Sequence, residues 1–138
     1  MFEINLKSNF SILILSSCFI FTPGYPARGE TLHLIQLLRD NKCTNCNLKG
    51  VDLVHSNLIN SILEGANLSG SNLSRSVLDG TNLKNVNLTS AILYGSSLRG
   101  ADLTGANLTG TDLRDSDLTG ASFTIEQISK SDWFGSKG

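Results

Sequence analysis

The chain has 138 residues, 12 acidic and 11 basic, for a formal charge of -1. That length suits one compact domain, and the balanced charge argues against both the basic footprint of a nucleic-acid binder and the acidic surface of a nucleic-acid mimic. Aromatic residues make up only 7%, too few for a core built on ring packing, and thirteen glycines against two prolines describe a chain that turns often without breaking.

Residues 1–29, MFEINLKSNFSILILSSCFIFTPGYPARG, differ in composition from everything after them. Lys7 and the amino terminus outweigh Glu3, and Phe10 to Phe21 is apolar apart from small Ser and Cys. Those twelve residues fall short of the roughly 20 that span a bilayer, but they suit the apolar region of a secretory signal, broken by Thr22-Pro23-Gly24. The expectation is therefore a signal peptide over 1–29, with no membrane span after cleavage. An uncleaved amphipathic anchor and a buried helix are the alternatives. Ala27 offers the best small residue for cleavage, although Tyr25 sits where another small residue is wanted. Leu15-Ser16-Ser17-Cys18 resembles a lipobox, which would make Cys18 a lipidated terminus, but bulky Phe19-Ile20-Phe21 follows it.

Residues 30–42 contain ETLHLIQLLRDN, which reads as a short N-terminal capping helix. Thr31 is its expected N-cap, and Leu34, Ile35, Leu37 and Leu38 form its apolar side. KCTNCNLKG follows, with Cys43 and Cys46. Four uses compete for this pair. Zinc would need two more ligands, and neither His33 nor His55 stands at finger-like spacing, so no metal is expected. Redox exchange would need surroundings that lower a thiol pKa. The pair could also be buried and unbonded. An oxidising compartment favours the fourth use, a structural disulfide.

From residue 43 to 124 a period of five governs the chain. Leucine stands at Leu48, Leu53, Leu58, Leu63, Leu68, Leu73, Leu78, Leu83, Leu88, Leu93, Leu98, Leu103, Leu108, Leu113 and Leu118, and Phe123 takes the next slot. On an α-helix five residues advance about 500°, so these side chains would form no stripe. On a strand an odd step would send alternate leucines to opposite faces. A chain that turns about a right angle every five residues satisfies all of them, since four repeats then close a square coil with every leucine inside. Two before each leucine the residue is small or β-branched, as a second inward slot demands. Two after it glycine recurs, supplying corners. Asp or Asn fills most slots just before the leucine, suiting side chains that bond nearby backbone. The expected architecture is a solenoid.

These residues resemble the pentapeptide-repeat family, whose pattern is A(D/N)LXX, over sixteen repeats in register. The resemblance implies an all-β solenoid, a right-handed quadrilateral β-helix, here of four coils. Solenoids need end caps, and residues 125–138 are expected to supply the second one. Thr124-Ile125-Glu126-Gln127 has the form of a capping box opening a short helix, and Trp133 and Phe134 read as a lid over the last coil. The order of signal, short helix, CxxC and repeats is similar to that of exported cyanobacterial family members of the periplasm or thylakoid lumen.

With four faces, residues twenty apart stack. Asn47, Asn67, Asn87 and Asn107 would form a structural column. The most varied surface holds His55, Arg75, Tyr94, Arg114 and Asp115, with Val54 beside them, and it is the expected interaction surface. Outward Ile59, Ile62, Val77 and Ile92 hint at a homodimer or partner contact. No nucleophile–base constellation follows from the spacing, so neither catalysis nor a cofactor is expected. The leading reading is an exported, non-enzymatic scaffold that binds an unknown protein partner and no nucleic acid, in the periplasm, the thylakoid lumen or outside the cell. A thiol–disulfide redox protein acting through Cys43 and Cys46 is the alternative. A gyrase-directed DNA mimic, like the quinolone-resistance members of the family, fits less well. Those members are strongly acidic, whereas residues 46–124 hold seven acids against five bases.

Overall fold

The computed structural model describes the backbone from residue 28 to 138 and side chains from residue 31. All but the last two residues of the expected signal segment 1–29, Cys18 among them, lie outside the described residues.

Helix α1 runs Arg28–Asp40. It begins earlier than the expected 30–42 and ends sooner, so Thr31 lies inside the helix rather than at its N-cap. The cause is the inward stripe: Leu37 is fully buried, and Leu34 and Leu38 pack against the core. A stripe starting at residue 34 needs a helical turn before it, because each backbone bond reaches four residues back. Ile35 is half-exposed, on the outer side with Leu32. The helix stops where Asn41 takes a left-handed conformation (φ 55°), one of the few non-glycine types that does so readily.

From Lys42 onward the chain coils. Parallel bridges join residues twenty apart throughout: Lys42 to Ile62 to Asn82 to Asp102 to Ser122 on one side, Asn47 to Asn67 to Asn87 to Asn107 on the next. The third column runs from Asp52 to Asn72 to Ile92 to Asp112 to Asp132, and the fourth from Asn57 to Val77 to Ser97 to Asp117 to Lys137. Four sides of five residues make each turn.

One repeat shows why the period is five. Asn67 N donates to Cys46 O in the coil above, Leu68 N to Asn87 O in the coil below, and Gly70 N to Thr89 O. Ser71 N closes the turn on Leu68 O, and Ser69 N donates to the Asn67 side-chain oxygen at 3.1 Å. Every N–H of the repeat is satisfied, two of them within the repeat itself, as a buried backbone requires. Where Asn or Asp precedes the leucine, its side chain is thus the acceptor for the N–H two residues on, which neither the neighbouring coils nor the backbone turn takes up. This also accounts for the Asn47, Asn67, Asn87 and Asn107 column, in which each amide oxygen caps its own turn.

All fifteen leucines from Leu48 to Leu118 are buried, and Phe123 is half-buried. The second inward slot is filled by small residues whose hydroxyls mostly return to the backbone, as Ser76 Oγ to Leu73 O at 2.7 Å and Thr81 Oγ1 to Leu58 O at 2.8 Å.

The C-terminal part departs from the expected cap at 125–138. Thr124 does cap helix α2, Ile125–Ile128, and shares a capping box with Gln127. The helix, however, replaces one side of a fifth coil instead of closing the stack. Asp132 bridges back to Asp112 and Lys137 to Asp117, so the twenty-residue register passes through the helix unbroken. Ile128 and Trp133 occupy the slots that leucine would hold. The side chain of Gln127 supplies the missing rung: its Nε2 donates to Ala106 O at 2.9 Å and to Leu103 O at 2.8 Å. Trp133 is 53% exposed, in the leucine slot at the open end of the fifth coil, and Phe134 is 83% exposed, so the two do not act together as a lid. Trp133 borders an open hollow with Leu118, Phe123 and Ile128, while Phe134 falls in an outward slot.

Candidate functional site

The coil turns at residues with left-handed backbone. Every fifth residue from Asn45 to Gly120 has positive φ, as does Gly135. Nine of those sixteen consecutive corners are glycine and three are Asn45, Asn60 and Asn85, types that reach this region at low cost. The other four are His55 (φ 58°), Arg75 (φ 57°), Ser90 and Asp115 (φ 57°). Three of the four stack on a single edge, in the order His55, Arg75, Gly95, Asp115 and Gly135. Aspartate and histidine share much of asparagine's tolerance of this region, so the strain on this edge, roughly 1–2 kcal/mol for an ordinary L-residue, falls chiefly on Arg75.

The slots just before that edge hold Val54, Ser74, Tyr94, Arg114 and Phe134. The expected contact residues His55, Arg75, Tyr94, Arg114 and Asp115 therefore lie on one edge and the strip beside it, at about 4.8 Å per level. Ile92, two residues before Tyr94, adds exposed apolar surface. Phe134 extends the strip by one level and was not expected in it, because its segment read as a lid. The step of twenty from Arg114 was the available signal.

Electrostatics divide the strip. Arg114 grips Asp112 with two bonds, Nε to Oδ1 at 2.9 Å and Nη2 to Oδ2 at 2.7 Å, and its Nε lies 3.6 Å from Asp132 Oδ2. The Asp112 bond raises the guanidinium pKa further and holds the Asp112 carboxyl below its usual range. On the adjoining face the Thr119 hydroxyl lowers Asp117 in the same way. Arg75 is different. Among the arginines with described side chains it alone makes no ion pair, since Arg39, Arg99 and Arg114 each meet an aspartate. Its stem runs along the edge, Cγ 3.6 Å from where a Cβ on Gly95 would stand.

At the front of the coil the Cys43 and Cys46 sulfurs lie 1.97 Å apart, with their Cα atoms 5.4 Å apart. Cys43 is fully buried and Cys46 is 4% exposed, beneath α1, whose His33 carbonyl oxygen is 3.2 Å from Cys43 Sγ. Among the described residues no group of three or more His, Cys, Asp and Glu side chains is placed to hold a metal ion. No described helix is long and apolar enough to cross a membrane. The geometry presents one strip of varied side chains at fixed spacing over a continuous leucine interior.

Several solved structures are similar to this chain. A pentapeptide repeat protein, Rfr23, from the cyanobacterium Cyanothece 51142 is 28% identical, with a TM-score of 0.32, covering 78% of this chain and 93% of its own. A pentapeptide repeat protein from the Arabidopsis thaliana thylakoid lumen is 22% identical, with a TM-score of 0.24, covering 82% of this chain and 68% of its own. QnrB1, a plasmid-mediated fluoroquinolone resistance protein, is 18% identical, with a TM-score of 0.39, covering 70% of this chain and 57% of its own. No curated protein matches. The family model for pentapeptide repeats matches in 8 copies, over residues 42–80, 66–105 and 81–120. Those matches take in more than half of the sequence, in the register of the leucine column, and the chain belongs to the pentapeptide repeat family.

Proposed function

We propose that the protein is an exported, non-enzymatic scaffold whose rigid prism presents side chains to another protein. The observation that carries this reading is the uneven distribution of surface variety. One side repeats asparagine at its first four levels, whereas the edge from His55 to Gly135 gathers three of the four corner side chains that are neither glycine nor asparagine. A coil under no demand but its own stability would keep glycine there.

In this reading Cys43 and Cys46 form a structural disulfide that pins α1 to the first coil. Burial of both sulfurs supports a staple over redox exchange, since an exchanging dithiol must meet its partner at the surface. The near-balanced charge of the repeats disfavours the DNA-mimic reading.

Two measurements test the proposal. Intact mass of the protein from its native cell, before and after reduction and alkylation, should show cleavage near residues 24–28 and one disulfide; an unprocessed chain with free thiols would sink the export reading. A photo-crosslinking amino acid at position 94 should capture one protein reproducibly, and the same group at position 89, on the asparagine side, should not. Equal, diffuse capture at both positions would refute the scaffold reading.

A further inference from the structure

Resting on the scaffold reading, we infer that Arg75 is the anchor of the strip, and that the partner is a protein segment presenting a carboxylate beside an apolar side chain. Four observations converge. Arg75 occupies a left-handed corner, a conformation that costs a long side chain free energy and is relieved in glycine. Its guanidinium is the one described arginine head without an ion pair, so it stays available where its counterparts are neutralised. Its stem lies over the Gly95 corner, within ordinary van der Waals reach of where a Cβ would stand. Tyr94 and Ile92 expose apolar surface next to that corner.

The order along the edge sets the polarity of the partner. Arg75 is the edge's upper cation, with His55 one level above and Asp52 beside His55 on that level. Gly95 with Tyr94 and Ile92 forms an apolar notch, and Asp115, next to the ion pairs that Arg114 makes with Asp112 and Asp132, is the lower anion. Arg75 reads a carboxylate by two parallel N–H bonds, a geometry that guanidinium offers and ammonium does not. An aliphatic or aromatic side chain in the notch would exclude water from that pair and strengthen it. Asp115, which makes no ion pair with the described residues, then disfavours a second carboxylate further along. The complement is therefore an extended segment running acid, apolar, base.

The test uses the full chain, isotopically labelled, and three end-blocked hexapeptides with the read side chains on one face of an extended chain: Glu-Ser-Phe-Ser-Lys-Ser, Lys-Ser-Phe-Ser-Lys-Ser, and the Ser-Phe peptide Ser-Ser-Phe-Ser-Ser-Ser. The first should shift the Arg75 side-chain N–H and the Tyr94 and Gly95 amides, and the other two should not. Arg75→Gln should weaken that binding roughly tenfold, the worth of one charge-assisted hydrogen bond. Arg75→Gly should weaken it as much while leaving the melting temperature unchanged or raised, because the corner strain is released. A lower melting temperature for Arg75→Gly would show that the arginine is structural and overturn the inference. Absence of shifts at Arg75 would overturn it too, as would equal shifts by the Ser-Phe peptide. Shifts confined to another face would overturn the Arg75 assignment while leaving the scaffold reading standing, and the position-94 crosslink tests that reading separately.

Discussion

Replacing Gln127 by alanine isolates the contribution of a side chain standing where a backbone rung belongs. In the upper coils each residue before a leucine donates its N–H to the coil above, as Asn107 N does to Val86 O at 2.9 Å. Helix α2 turns that N–H of Gln127 toward Thr124 instead, and the amide Nε2 reaches Ala106 O in its place. Leu103 O keeps a second donor, Ala106 N at 2.9 Å, so its loss is partial. Ala106 O is left orphaned, at about 1–3 kcal/mol. Gln127 Oε1 also accepts from Thr124 N at 2.8 Å, and losing that half of the capping box adds about 0.5–1 kcal/mol. Gln127→Ala should therefore cost about 2–4 kcal/mol, read as a lower urea midpoint at unchanged slope. Hydrogen exchange should localise the effect, with the Gly110 amide, which donates to Lys130 O, exchanging faster and the Leu53 amide unaffected. Gln127→Glu supplies the control. At neutral pH its carboxylate faces two carbonyl oxygens and should cost at least as much, with recovery as acid protonates it and restores a donor. A loss below about 0.5 kcal/mol for Gln127→Ala would refute the idea that the amide replaces a rung.

Other perturbations probe the rest of the coil. Leu83→Ala empties a fully buried slot and should cost about 3–5 kcal/mol by urea denaturation, whereas Phe123→Ala, at a half-buried slot, should cost clearly less. Gly65→Ala meets both a left-handed corner and the Asn45 side-chain oxygen lying over it, so it should lose about 1–2 kcal/mol, part of it regained in the Asn45→Gly background. Asp112 and Asp117 have native pKa values below their unfolded ones. The native state then binds fewer protons than the unfolded chain, so stability should fall as pH drops from about 5 through their native values. Asp112→Asn should flatten that fall. Reduction of the Cys43–Cys46 pair, followed by alkylation, should lower stability by about 2 kcal/mol if the short loop acts by chain entropy.

The leucine column was fully legible because one residue type at one interval has a single geometric solution. The candidate strip followed from it by arithmetic, once four repeats made a turn, which is how His55, Arg75 and Asp115 came to stand together. Legibility failed where the letters changed and the geometry did not. Residues 124–130 carry no A(D/N)L pattern, so the register reads as ending at Phe123, although Ser131-Asp132-Trp133 resumes it with tryptophan in the leucine slot. A single helical turn spanned one side of the square, and nothing in a local pattern reports that equality. The start of α1 was misplaced for a related reason: Thr31 has the chemistry of a cap, but packing of Leu34, Leu37 and Leu38 onto the coil set the helix length. The strain on one edge was also invisible, since the sequence marks corners where they are glycine and is silent where histidine or arginine adopts the same backbone.

The twenty-residue step between bridged rungs makes the surface behave like a dial. Inserting or deleting five residues anywhere in the stack would leave the leucine interior continuous, yet turn everything below the change by a quarter revolution. Placed between residues 75 and 94, such a change would turn Arg114 and Phe134 away from His55 and Arg75 and dismantle the proposed strip while the leucine interior stayed continuous. Twenty residues added or removed would restore the alignment and change only the length. In this architecture the spacing of repeats is a variable separate from stability, and surface composition can be reshuffled by whole-repeat slippage as readily as by point substitution.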